Sequence, residues 1–150
     1  MTAMTRMSTI RAARTYDAAA IAQLCAQLGY PATRQQIATR LAGIESEPAS
    51  RVLVAEDREG RVAGWLHVAA RAQLTEDPSA EILGLVVEES ARGAGIGAAL
   101  VRAAEEWARS QGCVRIRVRS RDTRERAHAF YEREGYARNK VQLVLHKVLQ

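Results

Sequence analysis

The sequence predicts a mixed α/β fold in which a mostly antiparallel sheet is flanked by helices. Apolar residues recur at helical spacing in some segments and alternate with polar residues in others, so both element types are expected. A third observation is Asp-Arg-Glu-Gly at residues 57–60, which joins two strand-like segments and is typical of an antiparallel hairpin. The predicted element order is β-α-α-β-β-β-α-β-α-β.

The first part of the chain is predicted to contain one strand and two helices. Residues 8–13 have the pattern of a short strand. Residues 17–28 form a helix, because their apolar side chains recur every three or four positions and Gly29 follows as a helix end. A Thr-x-x-Gln capping box begins the second helix, residues 33–45.

Three strands follow. Residues 51–56 and 61–70 are the two arms of the hairpin. Residues 71–79 contain Pro78 and are predicted as a loop. Residues 81–87 then form a buried strand, since they are nearly continuously apolar.

The remaining elements complete the predicted order. A long amphipathic helix begins near Gly95 and ends at Gly112. Residues 114–119 alternate strictly and form a strand, and an Asp-x-x-Glu cap begins a further helix at residues 122–134. Residues 141–149 have the pattern of a last strand.

Glycines are concentrated between the buried strand and the long helix, where residues 92–97 read Arg-Gly-Ala-Gly-Ile-Gly. Glycine leaves the backbone N–H groups uncovered, and a helix start is the positive end of the helix dipole. A phosphate group can therefore approach these amides closely. The segment is predicted to bind a diphosphate.

Two other glycine-rich phosphate sites do not fit this sequence. A P-loop requires Lys and then Ser or Thr after its last glycine, whereas Gly97 is followed by two alanines. A dinucleotide-binding motif has a different glycine spacing and an acidic residue about 20 positions later, where residues 114–119 read Val-Arg-Ile-Arg-Val-Arg.

Three segments in order closely resemble the GCN5-related N-acetyltransferase (GNAT) family. They are Glu81-Ile-Leu-Gly-Leu-Val-Val87, then Arg92-x-x-Gly95-x-Gly97, then Ala129-Phe-Tyr-Glu-Arg-Glu-Gly-Tyr136. The resemblance is strongest over residues 81–136, and the element order extends it to nearly the whole chain. It implies the GNAT-type fold, with acetyl-CoA as acyl donor and no metal.

The resemblance also implies which residues hold acetyl-CoA. The turn at residues 92–97 would bind the diphosphate, and the preceding strand would bind the pantetheine amides. The implied cofactor-binding residues are Leu85, Val86, Val87, Arg92, Gly93, Ala94, Gly95, Ile96 and Gly97. The alternative is a strand-to-helix corner with no ligand, although three glycines weaken a helix start by about 0.5–1 kcal/mol each relative to alanine.

Acetyl transfer to an amine needs a proton acceptor and a proton donor. An alkylamine has a pKa near ~10, so it must lose a proton before it attacks. Glu81 occupies the position of the family's catalytic glutamate, and Tyr131 that of the tyrosine that protonates the leaving thiolate. The alternatives are a polar strand end for Glu81 and a packing role for Tyr131. A backbone N–H near Val86 or Val87 is expected to bind the oxyanion.

Further residues have weaker functional interpretations. Trp65 and His67 share one strand face, which in this family often borders the acceptor pocket, but a strand tryptophan is also typical of a core. Cys25 and Cys113 are expected to be buried thiols. His128 has no second ligand at metal spacing, so no metal site is predicted.

Length and composition agree with a single compact enzyme domain. The 150 residues are 47% hydrophobic and 26% charged, which is ordinary for a globular protein, so residues 8–149 are predicted as a single domain after a flexible leader, residues 1–7. No secretory or membrane-spanning segment is recognised, and a cytoplasmic location is expected.

The net charge of +5 does not by itself indicate nucleic acid. Only 5% of residues are aromatic, so the arginines at positions 115, 117 and 119 lack the neighbouring rings of a nucleic-acid surface and more readily form a solvated or subunit-contact face. The family resemblance implies a homodimer.

Two functions remain open at this stage. The first is an N-acetyltransferase that moves an acetyl group from acetyl-CoA to a primary amine of a small molecule or peptide by direct attack. The second is a catalytically silent acyl-CoA-binding regulatory module. The acceptor's identity depends on pocket shape, which no local motif encodes.

Overall fold

A computed structural model describes residues 9–150, and these divide between two compact units, residues 9–118 and 119–150. The strands are β1 (Thr9–Ala12), β2 (Ser50–Glu56), β3 (Val62–Gln73), β4 (Glu76–Val87) and β5 (Arg115–Val118). The helices are α1 (Ala18–Leu28), α2 (Arg34–Glu45), α3 (Ile96–Ser110) and α4 (Glu125–Arg133). The predicted leader and the first residue of the first predicted strand lie outside the described residues.

The five strands form one sheet in the order β1-β2-β3-β4-β5. The pairs from β1 to β4 are antiparallel, and β5 alone is parallel to its neighbour β4. Because α3 connects these two parallel strands, the chain can cross from one end of the sheet to the other. The predicted fold class is confirmed.

Helices α1 and α2 cover one face of the sheet. Their apolar side chains form a single core with β2, and Trp65 of β3 packs against that core. The buried members are Ala13, Ala18, Ile21, Cys25, Ile37, Leu41, Val52 and Val54. The predicted capping box begins α2: the hydroxyl of Thr33 accepts from the amide of Gln36 at 3.0 Å, and the Gln36 side chain accepts from the amide of Thr33 at 2.9 Å.

Helix α3 covers the opposite face. Leu100, Val101 and Ala104 are completely buried in it. Gly64 of β3 points toward this helix, since a Cβ there would lie 3.3 Å from Cδ1 of Leu100. Side chains alternate between the two faces of a strand, so α3 lies on the side opposite Trp65. The first unit is therefore a sheet between two helical layers.

An ion-pair network joins β1 to the start of α1. The guanidinium of Arg11 donates to both carboxylate oxygens of Asp17 at 2.9 Å and to Glu56 of β2 at 2.7 Å. The Asp17 carboxylate also accepts from the amide of Arg14 at 2.8 Å. Asp17 is only 4% exposed, so these bonds satisfy a buried charge.

The second unit consists of residues 119–124, α4 and the chain that follows it. The amide of Tyr136 donates to the carbonyl of Tyr131 at 2.9 Å just beyond the helix end, and the Arg138 side chain donates to Glu132 at 3.0 Å. Residues 137–150 form neither helix nor strand.

The predicted last strand, residues 141–149, is therefore wrong as an element of this chain's sheet. An apolar pattern makes a segment suitable for a strand, but a strand also needs a neighbour with which to pair. The large apolar side chains of this segment are more than 80% exposed. They are Val141, Leu143, Val144, Leu145, Val148 and Leu149.

Two local predictions are also wrong. The loop at residues 71–79 is instead the end of a long hairpin, because β3 extends to Gln73 and β4 begins at Glu76. Proline has no N–H to donate to a neighbouring strand. Pro78 is accommodated because its hydrogen bond there uses the carbonyl, which accepts from the amide of Val114 at 2.9 Å. The predicted Asp-x-x-Glu cap is not formed, since α4 begins after Arg124 without a side-chain cap.

Among the helices of residues 9–150, none combines the length and the apolar character needed to cross a membrane.

Candidate active site

The candidate cofactor cleft begins where β4 separates from β5. The pairing of these strands ends at Ile82–Val118, whereas β4 stays paired with β3 up to Val87. Leu83 is the extra residue of a β-bulge, because the register against β3 passes from Ile82 directly to Gly84. The last residues of β4 therefore have one edge that no other strand of the described chain covers.

The backbone groups of Leu85 and Val87 point toward this edge. The amide of Glu88 donates to the carbonyl of Ala63 at 2.7 Å, and the residues that bond a given neighbour alternate along an antiparallel strand. Val86 accordingly directs its backbone groups to β3, and Leu85 and Val87 direct theirs away. An extended ligand can thus bond to β4 as an additional strand would.

The glycine turn, residues 92–97, lies next to the same edge. The φ angles of Gly93 and Gly95 are 88° and 82°, which other residues rarely adopt. A Cβ at either position would meet no atom within 4 Å, so the turn has open space in front of it. The Nε atom of Arg92 donates to the carbonyl of Val87 at 3.1 Å and ties the turn to β4.

Helix α3 begins at this turn without a side-chain cap. Gly95 is the N-cap residue, and the first helical hydrogen bond runs from the amide of Ala99 to the carbonyl of Gly95 at 3.0 Å. The amides of Ile96, Gly97 and Ala98 consequently have no acceptor within the helix. Together with the helix dipole, these N–H groups form a site suited to a diphosphate.

Glu81 lies on β4 before the bulge. It is 6% exposed and stands in register with Ala69 of β3 and Arg117 of β5. Cross-strand partners share a sheet face, so Glu81 lies on the face of Ala69 and, two residues along β3, of His67. Two acidic side chains flank the unpaired edge of β4 on that face: Glu81, which is buried, and Glu88, which accepts from the Gln27 side chain of α1 at 2.9 Å.

Trp65 occupies the same face and lies over Gly84. A Cβ at Gly84 would be 2.9 Å from Cη2 of the indole, so the ring requires a glycine beneath it. The indole Nε1 is buried and has no hydrogen-bond partner in the described part of the chain. We call the surface formed by Trp65, His67, Ala69 and Glu81 the Trp65 face.

His67 is partly buried on the Trp65 face. Its Nε2 atom is 2.8 Å from the hydroxyl of Ser50, which enters from β2. Burial lowers the pKa of His67 below its ordinary value of about 6.5, so the imidazole is neutral at neutral pH. A neutral imidazole has one donor and one acceptor nitrogen.

Tyr131 belongs to the second unit, on α4. Its ring makes edge-to-face contacts with Phe130 and Tyr136, at centroid distances of 5.0 Å and 5.5 Å. Burial raises the pKa of Tyr131 to about 12, and the positive charge of Arg124 opposes this increase. The phenol is therefore protonated at neutral pH, as a proton donor must be.

The other residues considered in the sequence have simpler roles. Arg117 donates to Glu76 at 2.8 Å and so belongs to an ion pair. Cys25 is buried as predicted, whereas Cys113 is only partly buried, and burial raises the pKa of both thiols. Within residues 9–150 no three His, Cys, Asp or Glu side chains are grouped as metal ligands.

Comparison with known protein families shows to which family the chain belongs. The profile of the Acetyltransferase (GNAT) family matches residues 16–136, which is most of the chain and includes the glycine turn, Glu81 and Tyr131. The chain belongs to the GNAT acetyltransferase family.

Individual relatives of this GNAT protein agree with the family assignment. The aminoglycoside N(6')-acetyltransferase type 1 of Klebsiella aerogenes is 35% identical over 111 residues, which cover 69% of this chain and 72% of the relative. A putative acetyltransferase from Agrobacterium tumefaciens superposes with a TM-score of 0.83 at 26% identity, over 93% of this chain and 99% of the other. The aminoglycoside 6'-N-acetyltransferase AAC(6')-Ih of Acinetobacter baumannii shares the fold, with a TM-score of 0.83 at 17% identity over 96% and 100%.

Some features of this GNAT site were not predicted from the sequence. The contact of Ser50 with His67 depends on the register of β2 against β3, which a single sequence does not specify. The requirement for glycine at position 84 follows from the packing of Trp65. The sequence predicted that Trp65 and His67 share one strand face, because they are two residues apart. It did not predict which residues of other strands contact them.

Proposed function

We propose that the protein is an N-acetyltransferase that transfers an acetyl group from acetyl-CoA to a primary amine of a small molecule or peptide. The observation that carries the proposal is the uncapped start of α3 at the open glycine turn, directly beside the uncovered edge of β4. One segment thus offers amides for a diphosphate, and the adjacent edge offers backbone groups for an extended amide-containing chain.

Acetyl-CoA fits these two features. Its diphosphate would bind the turn from Arg92 to Gly97, including Gly93, Ala94, Gly95 and Ile96, and its pantetheine would bond to Leu85 and Val87, with Val86 between them. The left-handed glycines favour this assignment, because a side chain at those positions would stand in the open space that the phosphates need. When bound, acetyl-CoA supplies an activated acyl carbon.

The chemistry is direct attack by the amine on that carbon. Glu81 draws a proton from the protonated acceptor amine and passes it to solvent. The neutral nitrogen then forms the new C–N bond as the C–S bond breaks, and it releases its second proton to solvent. Tyr131 gives its proton to the departing thiolate and regains one from solvent. The outward backbone N–H of Val87 donates to the oxyanion that forms during attack. No metal takes part in this scheme.

The acceptor class is supported by the relatives. The Klebsiella relative is described as acting on aminoglycosides, which are small molecules that carry primary amines. An amine acceptor is also consistent with a buried carboxylate and a neutral imidazole on the Trp65 face.

The competing function is a silent acyl-CoA-binding regulatory module. The test is to mix the protein with acetyl-CoA and a panel of amines that includes aminoglycosides, amino acids, polyamines and peptides, and to follow the release of free thiol. Thiol release with at least one acceptor is the expected result. Tight acetyl-CoA binding without thiol release from any acceptor would favour the silent module.

A substitution tests where the cofactor binds. We expect Gly95→Trp to weaken acetyl-CoA binding at least about tenfold, because an indole would fill the space in front of the turn. Gly60→Trp is the matched control, since Gly60 also has positive φ and open surroundings but lies in the β2–β3 turn. Calorimetry that gives both variants the wild-type affinity would contradict the assignment.

We further propose that the protein forms a homodimer. Six large apolar side chains of residues 141–149 are more than 80% exposed, and burying such side chains is favourable by about 1.5–3 kcal/mol each.

A further inference from the structure

His67 lies beside the residue at which the uncovered edge of β4 begins. Its register partner is Gly84, the first residue after the bulged Leu83. Glycine places no side chain of β4 beside the imidazole, and the space over Gly84 is taken by the indole of Trp65. The proposed function places the acyl end of the pantetheine along the next residues of the same strand. His67 therefore lies on the same face as the proposed reaction centre, next to the Trp65 indole.

Ser50 controls the orientation of this imidazole. Its hydroxyl lies 2.8 Å from Nε2, and it comes from β2, on the side of His67 away from β4. A hydroxyl can donate to a neutral ring nitrogen or accept from a protonated one. When the hydroxyl accepts from Nε2–H, the contact is the same in the neutral and the protonated ring, and Nδ1 is the nitrogen that can accept a proton.

We infer that His67 is a second proton acceptor for the acceptor amine, and that Ser50 is its positioning residue. This inference rests on the proposed function. In the step, the amine nitrogen bonds to the acyl carbon and its proton moves to the imidazole, while the C–S electron pair leaves on sulfur and is protonated by Tyr131. The imidazolium then releases its proton to solvent. His67 and Glu81 share the work of proton removal.

The surrounding charges permit this role. The charged groups on the same face include Glu81 from β4, Arg71 farther along β3, and Arg117 from β5, which is paired with Glu76. Glu88, just after β4, accepts from Gln27 of α1. Arg11 from β1 is also on this face, and its charge is paired with Asp17 and Glu56. Helix α1, which packs on this face, has no charged residue. Its one titratable group, Cys25, is a buried thiol with a raised pKa.

The charges that α2 brings to this face lie at Arg34, Arg40 and Glu45. The neutral state of the imidazole is therefore set by burial, which is the cause of its lowered pKa. A neutral imidazole is ready to accept a proton at neutral pH.

The test compares kcat/KM for the best amine of the panel in the wild type, His67→Gln, Glu81→Gln and Ser50→Ala. We expect His67→Gln to lower kcat/KM about 100-fold and to remove an acid limb of the pH profile that lies below about pH 6.5. We expect Ser50→Ala to lower it less and Ser50→Thr to restore it. The Kd for acetyl-CoA, measured by calorimetry, should stay unchanged in all four variants.

The outcomes separate this inference from the proposed function. A wild type without turnover refutes the proposed function, and this inference falls with it. A wild type that turns over while His67→Gln keeps the wild-type kcat/KM and acid limb overturns only the role of His67. Parallel loss of activity and of acetyl-CoA affinity in His67→Gln also overturns it, since a structural role then explains the result. If His67→Gln fails to fold, Ser50→Ala replaces it in the test. Wild-type kcat/KM and an unchanged acid limb in Ser50→Ala would then overturn the role of His67.

Discussion

Burial raises the pKa of Tyr131 to about 12, so the phenol keeps its proton at neutral pH and has one to give in the proposed step. We expect Tyr131→Phe to lower kcat roughly 100-fold, the low end for general acid catalysis, without weakening acetyl-CoA binding. Because the phenol ionises only near its raised pKa, the wild type should lose no activity through Tyr131 between about pH 7 and pH 10. Steady-state kinetics across this range measures both effects.

Tyr30→Phe serves as the control, since Tyr30 is exposed in the first unit and no chemistry is assigned to it. Wild-type kcat in Tyr131→Phe would remove the phenol from the mechanism.

Gly84 allows a second test at the scale of one residue. We expect Gly84→Ala to lower the free energy of unfolding by about 1–3 kcal/mol, because its Cβ would lie 2.9 Å from the Trp65 indole and the ring must move. Urea denaturation measures the loss, and tryptophan fluorescence should report the displaced ring.

Gly43→Ala is the matched control for Gly84→Ala. Gly43 lies within α2, and its added Cβ would meet no atom within 4 Å, so this change should stabilise the protein by about 0.5–1 kcal/mol. A Gly84→Ala variant as stable as the wild type, with unchanged fluorescence, would show that Trp65 does not need the space above the glycine.

Single residues differ in how far the sequence predicts their roles. The glycine turn and Tyr131 are recognisable because they belong to contiguous motifs. The Ser50–His67 contact and the unsatisfied Nε1 of Trp65 depend on strands that meet only in three dimensions, and no local pattern indicates them.

The ion-pair network of Asp17 connects three elements and provides a test at their scale. We expect Asp17→Asn to lower the free energy of unfolding by about 1–3 kcal/mol at neutral pH, because it weakens charge-assisted bonds from Arg11. Burial alone would raise the pKa of Asp17, but the bonds from Arg11 and the Arg14 amide outweigh burial and lower it.

The sign of the pH dependence follows from this lowered pKa. The carboxylate contributes its full stabilisation above its unfolded-state pKa, about 3.9, and loses it as the pH falls through the lower folded-state value. The stability difference between wild type and Asp17→Asn should therefore be constant near neutral pH and shrink below about pH 4. Urea denaturation at several pH values measures it.

Glu106→Gln is the control for Asp17→Asn, because its pair with Arg109 is exposed, and its effect should stay within about 0.5 kcal/mol. An equally small effect of Asp17→Asn would mean that the buried network does not stabilise the junction of β1 and α1.

Elements were predictable where their determinants are local. The capping box at Thr33 formed as predicted, since its two side chains bond to a backbone three residues away. The loop at residues 71–79 was wrong because pairing between β3 and β4 extends the hairpin through a segment that contains Pro78. The strand at residues 141–149 was wrong for the opposite reason: its apolar residues pair with no strand of residues 9–150.

Association of two chains is the prediction that belongs to the whole molecule. We expect the double variant Leu143→Lys with Leu145→Lys to raise the dimer dissociation constant at least about 100-fold, since each buried leucine contributes about 1.5–3 kcal/mol. Both side chains are more than 85% exposed within one chain, so the monomer itself should keep its stability. Sedimentation velocity measures the change in mass.

Gln142→Lys is the control. It adds a charge next to Leu143 without removing an apolar side chain, and it should leave the dimer intact. A monomeric wild type, or a double variant that still dimerises with wild-type affinity, would refute the proposed dimer.

The order of strands in the sheet has a consequence for how the chain folds. The three central strands, β2 to β4, form two consecutive hairpins. The outer strands β1 and β5 are separated from them along the chain by helices. Closing a longer loop costs more entropy, so the central hairpins are the part that can assemble earliest. The Trp65 face lies on this early part, and the glycine turn is completed later, when α3 docks.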